Sequence, residues 1–529
     1  MLKHKADAAT GGPADGTAPS GAAVRGRGLD PATVARIADG ATPTPPHPAD
    51  LEAMEHTRRA AHRLAAEGAR VYGRSTGVGA HRGLAVEEHD GAGHDLRLLL
   101  SHAGGVGEAL PARQVRAMMV VRANQLLSGG SGLGPEIALA VVDALRAGVH
   151  PRVPEYGSVG TGDLTALAQL GLALFGHGTW VRDRAGSESP FPESLLPESL
   201  PIQRGDALAL LSSNALTLGQ SALACHDLGV PLRAAHLVAA LSLYAIGGSL
   251  EPYAPEVHAA HPHPAIAQVA ARVRGLLGLP AGSGTSVPGL PSGGPARVQD
   301  PFGFRCFPQA HGPATEAWTG LERVLSIDLN SAAENPLIGW DETTGTPVAR
   351  HHGGFFTAPL TLALDQLGLA VLGTARLSAA RLSGLGRPEL TGLRSYLADA
   401  SSAGSGMMIL EYSAASALAE IQACAAPAAL GHVVLSQGME EAATFATQAA
   451  RKSLRLAQAY RLVLACELVA AVRALRLSER PPAPDTPAGR AYVRAASALD
   501  PDMRDRPLTD DVTGAAALLD EFAELTGDG

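Results

Sequence analysis

Aromatic residues are scarce in this chain, at 4% of its 529 positions, whereas apolar residues reach 46% and are largely Ala and Leu. Few aromatics among many small aliphatics favour close-packed helices over sheets, because strands draw on β-branched and aromatic side chains. Cysteine is also rare: Cys225, Cys306, Cys424 and Cys466 are scattered, with no CxxC pair. That spacing argues against a disulfide framework and against a zinc site, and it predicts a protein of the reducing cytoplasm. Positive charge is in deficit, with a net charge of −9, so no general nucleic-acid surface is expected. Lys3 and Lys5 are followed by no apolar signal core, and no run reaches the ~18 apolar residues of a membrane span. The partners expected are therefore small molecules and further copies of the chain, with neither nucleic acid nor membrane.

What is present is length enough for a large core. A chain of this size predicts one elaborated domain or two packed subdomains. Residues 1–28 are rich in Gly, Ala, Pro and Thr without periodicity and read as a disordered tail. Residues 29–205 form an N-terminal region, 206–478 a central bundle of long helices, and 479–529 a linker with capping helices. Helical patterns cover 31–38, 51–67, 111–127, 135–147, 164–175, 206–225, 357–385, 411–430, 437–477, 488–498 and 510–525. The fold class is all-α. Trp180-Val181 is among the few strand signals, 182–200 is a polar connector, and 279–297 reads as a mobile loop.

Gly157-Ser158-Val159-Gly160-Thr161-Gly162-Asp163-Leu164 stacks small residues before an apolar helix, with Pro151 and Pro154 stiffening its approach. The pattern predicts a tight turn held at both ends. An anion-binding helix N-terminus would look similar, but neither a Walker lysine nor GxGxxG spacing is present. His258, His261 and His263 cluster without the spacing of paired metal ligands, and they read as structural.

With its neighbours, this turn resembles the signature Pro-x-x-Pro-x-x-Gly-Ser-Val-Gly-Ala-Ser-Gly-Asp-Leu of the histidine and phenylalanine ammonia-lyase family. In that family the Ala-Ser-Gly tripeptide cyclises and dehydrates into methylideneimidazolone, an electrophile made from the backbone. Here one residue is missing and threonine stands for serine, leaving Gly160-Thr161-Gly162. The resemblance implies a self-made group of this type, with no external cofactor. It extends over about residues 68–453 and implies an almost wholly helical homotetramer with each site built from three subunits.

Other motifs carry the resemblance further. Tyr72 lies in a Tyr-Gly-x-x-Thr-Gly-x-Gly loop, where the family's tyrosine serves as base; the alternative is a loop tyrosine packed among glycines. Ser101-His102 resembles the histidine-specific branch and implies a polar ring in the substrate, unless His102 is structural. Ser212 stands where an asparagine is expected, with Asn214 two residues on, and i, i+2 on one helix do not share a face. The segment from Gln299 to Gln309 resembles Gln-Asp-x-Tyr-Ser-x-Arg-Cys-x-Pro-Gln. It implies that Gln299 stands beside the electrophile, that Phe302 replaces a site tyrosine, and that Arg305 clamps the substrate carboxylate. Arg305 has a second reading, as the partner of a core carboxylate such as Glu334. Asn335 and Phe356 fall in segments that shape the pocket wall. Glu440 aligns with a family acid and reads equally as a solvated helix residue.

The expected function is therefore elimination of ammonia from histidine, an aromatic amino acid or a derivative. The substrate-binding set is Ser101, His102, Ser212, Asn214, Asn335 and Phe356. The catalytic set is Tyr72, Gly160, Thr161, Gly162, Gln299, Phe302, Arg305 and Glu440. An aminomutase and a non-catalytic binding homologue are the alternatives.

Overall fold

The computed structural model describes residues 22–87, 91–182, 197–279, 297–399 and 403–526. Three helices organise it: Ala215–Ala245, Ala358–Leu385 and Ala446–Ser478. Ala215–Ala245 is buried along nearly every face, as expected of a helix whose sequence is apolar all round. At their centre the Glu467 carboxylate is fully satisfied. It takes Ser242 Oγ at 2.7 Å, Ser378 Oγ at 2.6 Å and Arg381 Nε at 2.6 Å, so one buried acid ties all three helices. A buried charge is tolerated when its lone pairs are filled in this way.

Shorter helices begin where the sequence supplies caps. Asp30 accepts Thr33 N at 2.7 Å ahead of Pro31–Ala38, and Thr486 accepts Gly489 N at 3.0 Å ahead of Pro487–Ala498. Among the described residues, strands are confined to three two-stranded antiparallel ribbons. One pairs Val149–Pro151 with Trp180–Arg182, which accounts for the strand signal at Trp180.

Several expectations change. The helix expected at 206–225 is two: Asp206–Leu211, a break at 212–214, then a helix that runs on to Ala245. The helix expected at 437–477 begins only at Ala446, because Phe445 takes a left-handed φ of 55° that no helix interior accepts. The 411–430 helix is Met408–Cys424, followed by a 3-10 turn at Ala428–Leu430. A helix at Phe307–Asp328 was not anticipated, since Pro308 and Pro313 hide it.

Two further expectations are overturned. Residues 22–28 of the expected tail are packed: Ala22 and Val24 are buried, and Asn124 Oδ1 accepts the backbone N–H groups of Arg25 at 3.2 Å and Gly26 at 2.9 Å. Residues 1–21 lie outside the described residues, as do most of the connector at 182–200 and the loop at 279–297. Asp206–Ala245 and Ala358–Leu385 are long and apolar enough, by length and composition, to cross a membrane, contrary to the reading that no such run exists. In the former, 89% of the apolar window is buried in the protein, as in a core helix.

Candidate active site

The Gly-rich turn forms because both flanks are anchored. On one side Pro154–Tyr156 pairs with Val106–Ala109. On the other, the buried Asp163 donates its N–H to Ser213 O at 2.8 Å, while its carboxylate takes Thr217 N at 2.8 Å and Thr217 Oγ1 at 2.9 Å. Burial pushes the Asp163 carboxyl above the usual carboxylate range, against the opposing effect of these donors. The start of the Ala446–Ser478 helix closes over the turn. Phe445 N donates to Val159 O at 2.8 Å, Gln448 Nε2 to Ser158 O at 2.9 Å, and Thr444 Oγ1 to Gly160 O at 2.9 Å.

Gly160 has φ +86°, and a Cβ there would run into Thr444 Oγ1 and into the amide nitrogens of Phe445 and Ala446, at 3.0 and 2.9 Å. No other residue fits. Gly162 has room for a Cβ, but its φ of +132° is a conformation that residues with side chains rarely adopt. Thr161 between them is half-buried.

The helix break at 212–214 faces this turn and supplies a pocket wall. Ser212 Oγ accepts Asn335 N at 2.8 Å, Asn335 Oδ1 accepts His352 N at 2.9 Å, and Asn214 Nδ2 donates to Phe355 O at 2.7 Å, next to Phe356. Ser212 and Asn214 therefore work from a loop, and the argument that they cannot share a helix face does not apply. Asn214 Oδ1 is buried without a partner among the described residues, an acceptor awaiting an N–H. Tyr72 joins the same wall: its N–H lies 3.3 Å from His351 Nε2, and its hydroxyl accepts Gly79 N at 2.7 Å.

Gly77 and Val78 of the Tyr72 loop line a cleft of about 540 Å³ with Ser101 and His102, which end the Gly91–His102 helix. His102 Nδ1 lies 2.8 Å from Leu98 O. A carbonyl only accepts, so Nδ1 carries the proton and Nε2 of the neutral ring is an acceptor. Glu440 is half-buried on a turn, its backbone paired with Leu435, and is not on a helix as the spacing had suggested. That turn touches the Tyr72 loop, where Ser436 Oγ would lie 2.6 Å from a Cβ on Gly79.

Gln299, Phe302 and Arg305 are not part of this gathering. Phe302–Arg305 is a short helix whose Gly303 packs on Ala380 and Arg381, near the end of the Ala358–Leu385 helix, while Thr357 at its start bonds the turn through Thr444 at 3.0 Å. At 1.5 Å per residue the two ends are about 36 Å apart. Arg305 does not pair with Glu334, which takes Arg122 Nη1 at 2.9 Å instead. The Arg305 guanidinium lies over the Phe302 ring at 4.4 Å, and its Nε is buried without a partner among the described residues. His258 Nε2 lies 3.1 Å from Pro252 O, and the His261 and His263 rings meet edge-on with centroids 4.6 Å apart. Among the described residues no group of three or more His, Cys, Asp or Glu could hold a metal ion.

Whether the turn suits a backbone-derived electrophile turns on two atoms. Ring closure needs a free amide at Gly162 and hydrogen-bond donation to the carbonyl oxygen of Gly160. The Gly162 N–H has no partner among the described residues, and Gly160 O receives Thr444 Oγ1 with Thr357 Oγ1 at 3.5 Å. The residues fit the group despite the missing residue. Thr444 and Gln448 escape sequence reasoning because 437–477 reads as uninterrupted helix, and Thr357 because it reads as the first residue of the 357–385 helix.

A family model for aromatic amino acid lyases matches residues 29–498. The histidine ammonia-lyase of Geobacillus kaustophilus is 34% identical over 463 residues, covering 86% of this chain and 88% of that protein. The crystal structure of histidine ammonia-lyase from Trypanosoma cruzi superposes with a TM-score of 0.84 at 25% identity, covering 95% of this chain and 94% of the other. A tyrosine aminomutase from Streptomyces globisporus superposes at 0.83 with 26% identity, covering 95% and 97%. The chain belongs to the aromatic amino acid lyase family and is a carbon–nitrogen lyase.

Proposed function

We propose that the protein eliminates ammonia from histidine, or from an aromatic amino acid whose ring carries an N–H or O–H, to give the α,β-unsaturated acid. The observation that carries this reading is the 2.8 Å contact of His102 Nδ1 with Leu98 O, from which the Nδ1–H tautomer is inferred. Its Nε2 acceptor, in a cleft with the Tyr72 loop, suits a ring that donates a hydrogen bond and offers nothing to a bare phenyl ring. The histidine ammonia-lyase relatives support the imidazole as first choice.

Gly160-Thr161-Gly162 would form the backbone electrophile, which supplies the activation that a poor leaving amine and a weakly acidic β-hydrogen both lack. The remaining work falls to side chains. Tyr72, its oxygen fixed by Gly79 N–H, takes the β-proton. Asn214 Oδ1, lacking a partner, accepts an N–H of the substrate amine. Ser212, Asn335 and Phe356 hold the wall, and Glu440 stands ready to exchange a proton at its rim.

Arg305 clamps the substrate carboxylate with a planar fork. Held with Gly303 at the end of the Ala358–Leu385 helix away from the turn, a separation of about 36 Å along that helix, it acts on a site of a neighbouring copy, with Gln299 and Phe302. The exposed Leu362, Leu369, Ile409 and Tyr412 on the Ala358–Leu385 and Met408–Cys424 helices are surfaces that other copies would cover in a homotetramer. The free thiols of all four cysteines suit a reducing cytoplasm.

Incubation with histidine, tyrosine and phenylalanine, reading ammonia and the ultraviolet band of the unsaturated acid, tests the reading. Histidine should lead and phenylalanine fail. The aminomutase neighbour favours one alternative, and a β-amino acid without ammonia would establish it. Binding without either product would leave a non-catalytic homologue.

A further inference from the structure

Two threonine hydroxyls meet at one backbone carbonyl. Thr444 Oγ1 lies 2.9 Å from Gly160 O and 3.0 Å from Thr357 Oγ1, which is itself 3.5 Å from the same oxygen. All three residues are buried, and both threonines stand at the entrances to long helices, Ala358–Leu385 and Ala446–Ser478. Thr357 makes no side-chain cap on its helix, and Thr444 Oγ1 accepts the Ala446 N–H at 3.3 Å while its own proton remains for Gly160 O. A single backbone acceptor with two hydroxyl neighbours in a dry site is well supplied for stability alone. It is the arrangement required where negative charge develops on that oxygen.

We propose that Thr444 is the proton donor for ring closure at Gly160-Thr161-Gly162, and that Thr357 positions it and relays the proton. The inference rests on the self-made electrophile of the proposed function. The nitrogen of Gly162 attacks the carbonyl carbon of Gly160 and a C–N bond forms. As the C=O π pair moves onto oxygen, Thr444 Oγ1 gives it a proton, and the proton released from the Gly162 nitrogen returns through Thr357 to Thr444. The new hydroxyl leaves as a first water with the N–H proton of Thr161, making the ring C=N bond. A second water is the Thr161 hydroxyl with its Cα hydrogen, making the exocyclic C=C. No oxidant and no metal are consumed, and the chain ends two waters lighter.

The geometry also explains why the shortened loop keeps glycine at 160. The carbonyl reaches Thr444 only if the backbone lies against the amides of Phe445 and Ala446, at 3.0 and 2.9 Å from a would-be Cβ, where an alanine has no room. The turn and the helix start are a matched pair. Phe445 N–H on Val159 O, at 2.8 Å, holds their register.

Intact mass of the purified full chain tests the proposal without reference to activity. Wild type should lack two waters. Thr444→Val, which keeps the shape and removes the hydroxyl, should retain its full mass with native helical circular dichroism, and Thr444→Ser should restore the loss. Thr357→Val should give a mixture of modified and unmodified chains. A folded Thr444→Val protein that loses both waters overturns the proposal. Should Thr444→Val not fold, Thr357→Val decides, and complete modification there overturns the relay. An unmodified wild type overturns the inference together with the self-made electrophile, whereas ammonia release from histidine is scored separately and judges the lyase reading.

Discussion

Arg122 places its guanidinium between Glu334 and the end of the Asp206–Leu211 helix, with Nη1 2.9 Å from Glu334 Oε1, Nη2 2.5 Å from Ala209 O and Nε 3.1 Å from Leu210 O. Both partners are out of water. The pair thereby sets two pocket walls at once: the break that presents Ser212 and Asn214, and the segment that presents Asn335. Burial raises the Glu334 carboxyl above its usual range and lowers Arg122, so desolvation outweighs attraction on both sides. Removing one partner strands the other, and Glu334→Ala should cost about 3–5 kcal/mol in chemical denaturation. A loss under about 1 kcal/mol, the size of an exposed pair, would show that the pair is not a keystone.

Asp206 predicts a pH dependence of stability. Burial pushes its carboxyl up to about 6 from an ordinary 3.8, with the Gln203 N–H as the main opposing influence. Between these values the folded chain holds a proton that the unfolded chain has lost, so stability falls as pH rises through this window. Asp206→Asn, which still accepts from Gln203, should be more stable than wild type at pH 8 by about 1–3 kcal/mol, with the gap closing toward pH 4. Denaturation midpoints at both pH values check it, and a gap that widens on acidification would refute it.

Arg305→Lys should raise KM for the amino acid because an ammonium cannot reproduce a bidentate fork. The loss should be about 1.5–3 kcal/mol in binding, readable by calorimetry with the substrate carboxylate. Unchanged affinity would return Arg305 to a structural role over Phe302.

Complementation tests the divided site. Tyr72→Phe and Arg305→Lys chains, each impaired alone, should regain activity when refolded together, with about a quarter of sites receiving both intact residues in a randomly mixed oligomer. Activity of the mixture no greater than the sum of its parts would place both residues in one chain's site.

Thr161→Ala keeps the turn and lacks the hydroxyl to lose. It should remain folded, release no ammonia from histidine, and lack the borohydride-sensitive near-ultraviolet band expected of wild type. Ammonia release at the wild-type rate would remove the tripeptide from the chemistry.

The helical class and the motifs were legible in the sequence because they rest on local pattern: apolar runs for the long helices, glycine and proline for the 157–163 turn. Less legible was where helices stop. Residues 442–444 have helix-compatible composition, and only tertiary contact makes Phe445 turn left-handed so that its amide reaches Val159. The break after Leu211 was written as Ser212-Ser213-Asn214, a turn-prone run that was outweighed by its apolar flanks. Residues 22–28 lack any periodicity, and what orders them are partners elsewhere in the chain: Asn124 for the Arg25 and Gly26 amides, Asp50 for the Arg25 side chain, and the Thr44 N–H for Ala22 O. Pairings at such separations leave no trace in local spacing.

The Ala358–Leu385 helix has one end on the turn that carries Thr161 and the other beneath Gly303 of the short helix that carries Arg305. Under the proposed division of the site between copies, a rigid strut of that length makes catalysis a collective property. On that proposal a newly made chain, however well folded, is chemically silent until it meets its copies, and specific activity should fall on dilution as the assembly dissociates. Expression level then sets both the amount of enzyme and the fraction of it that works.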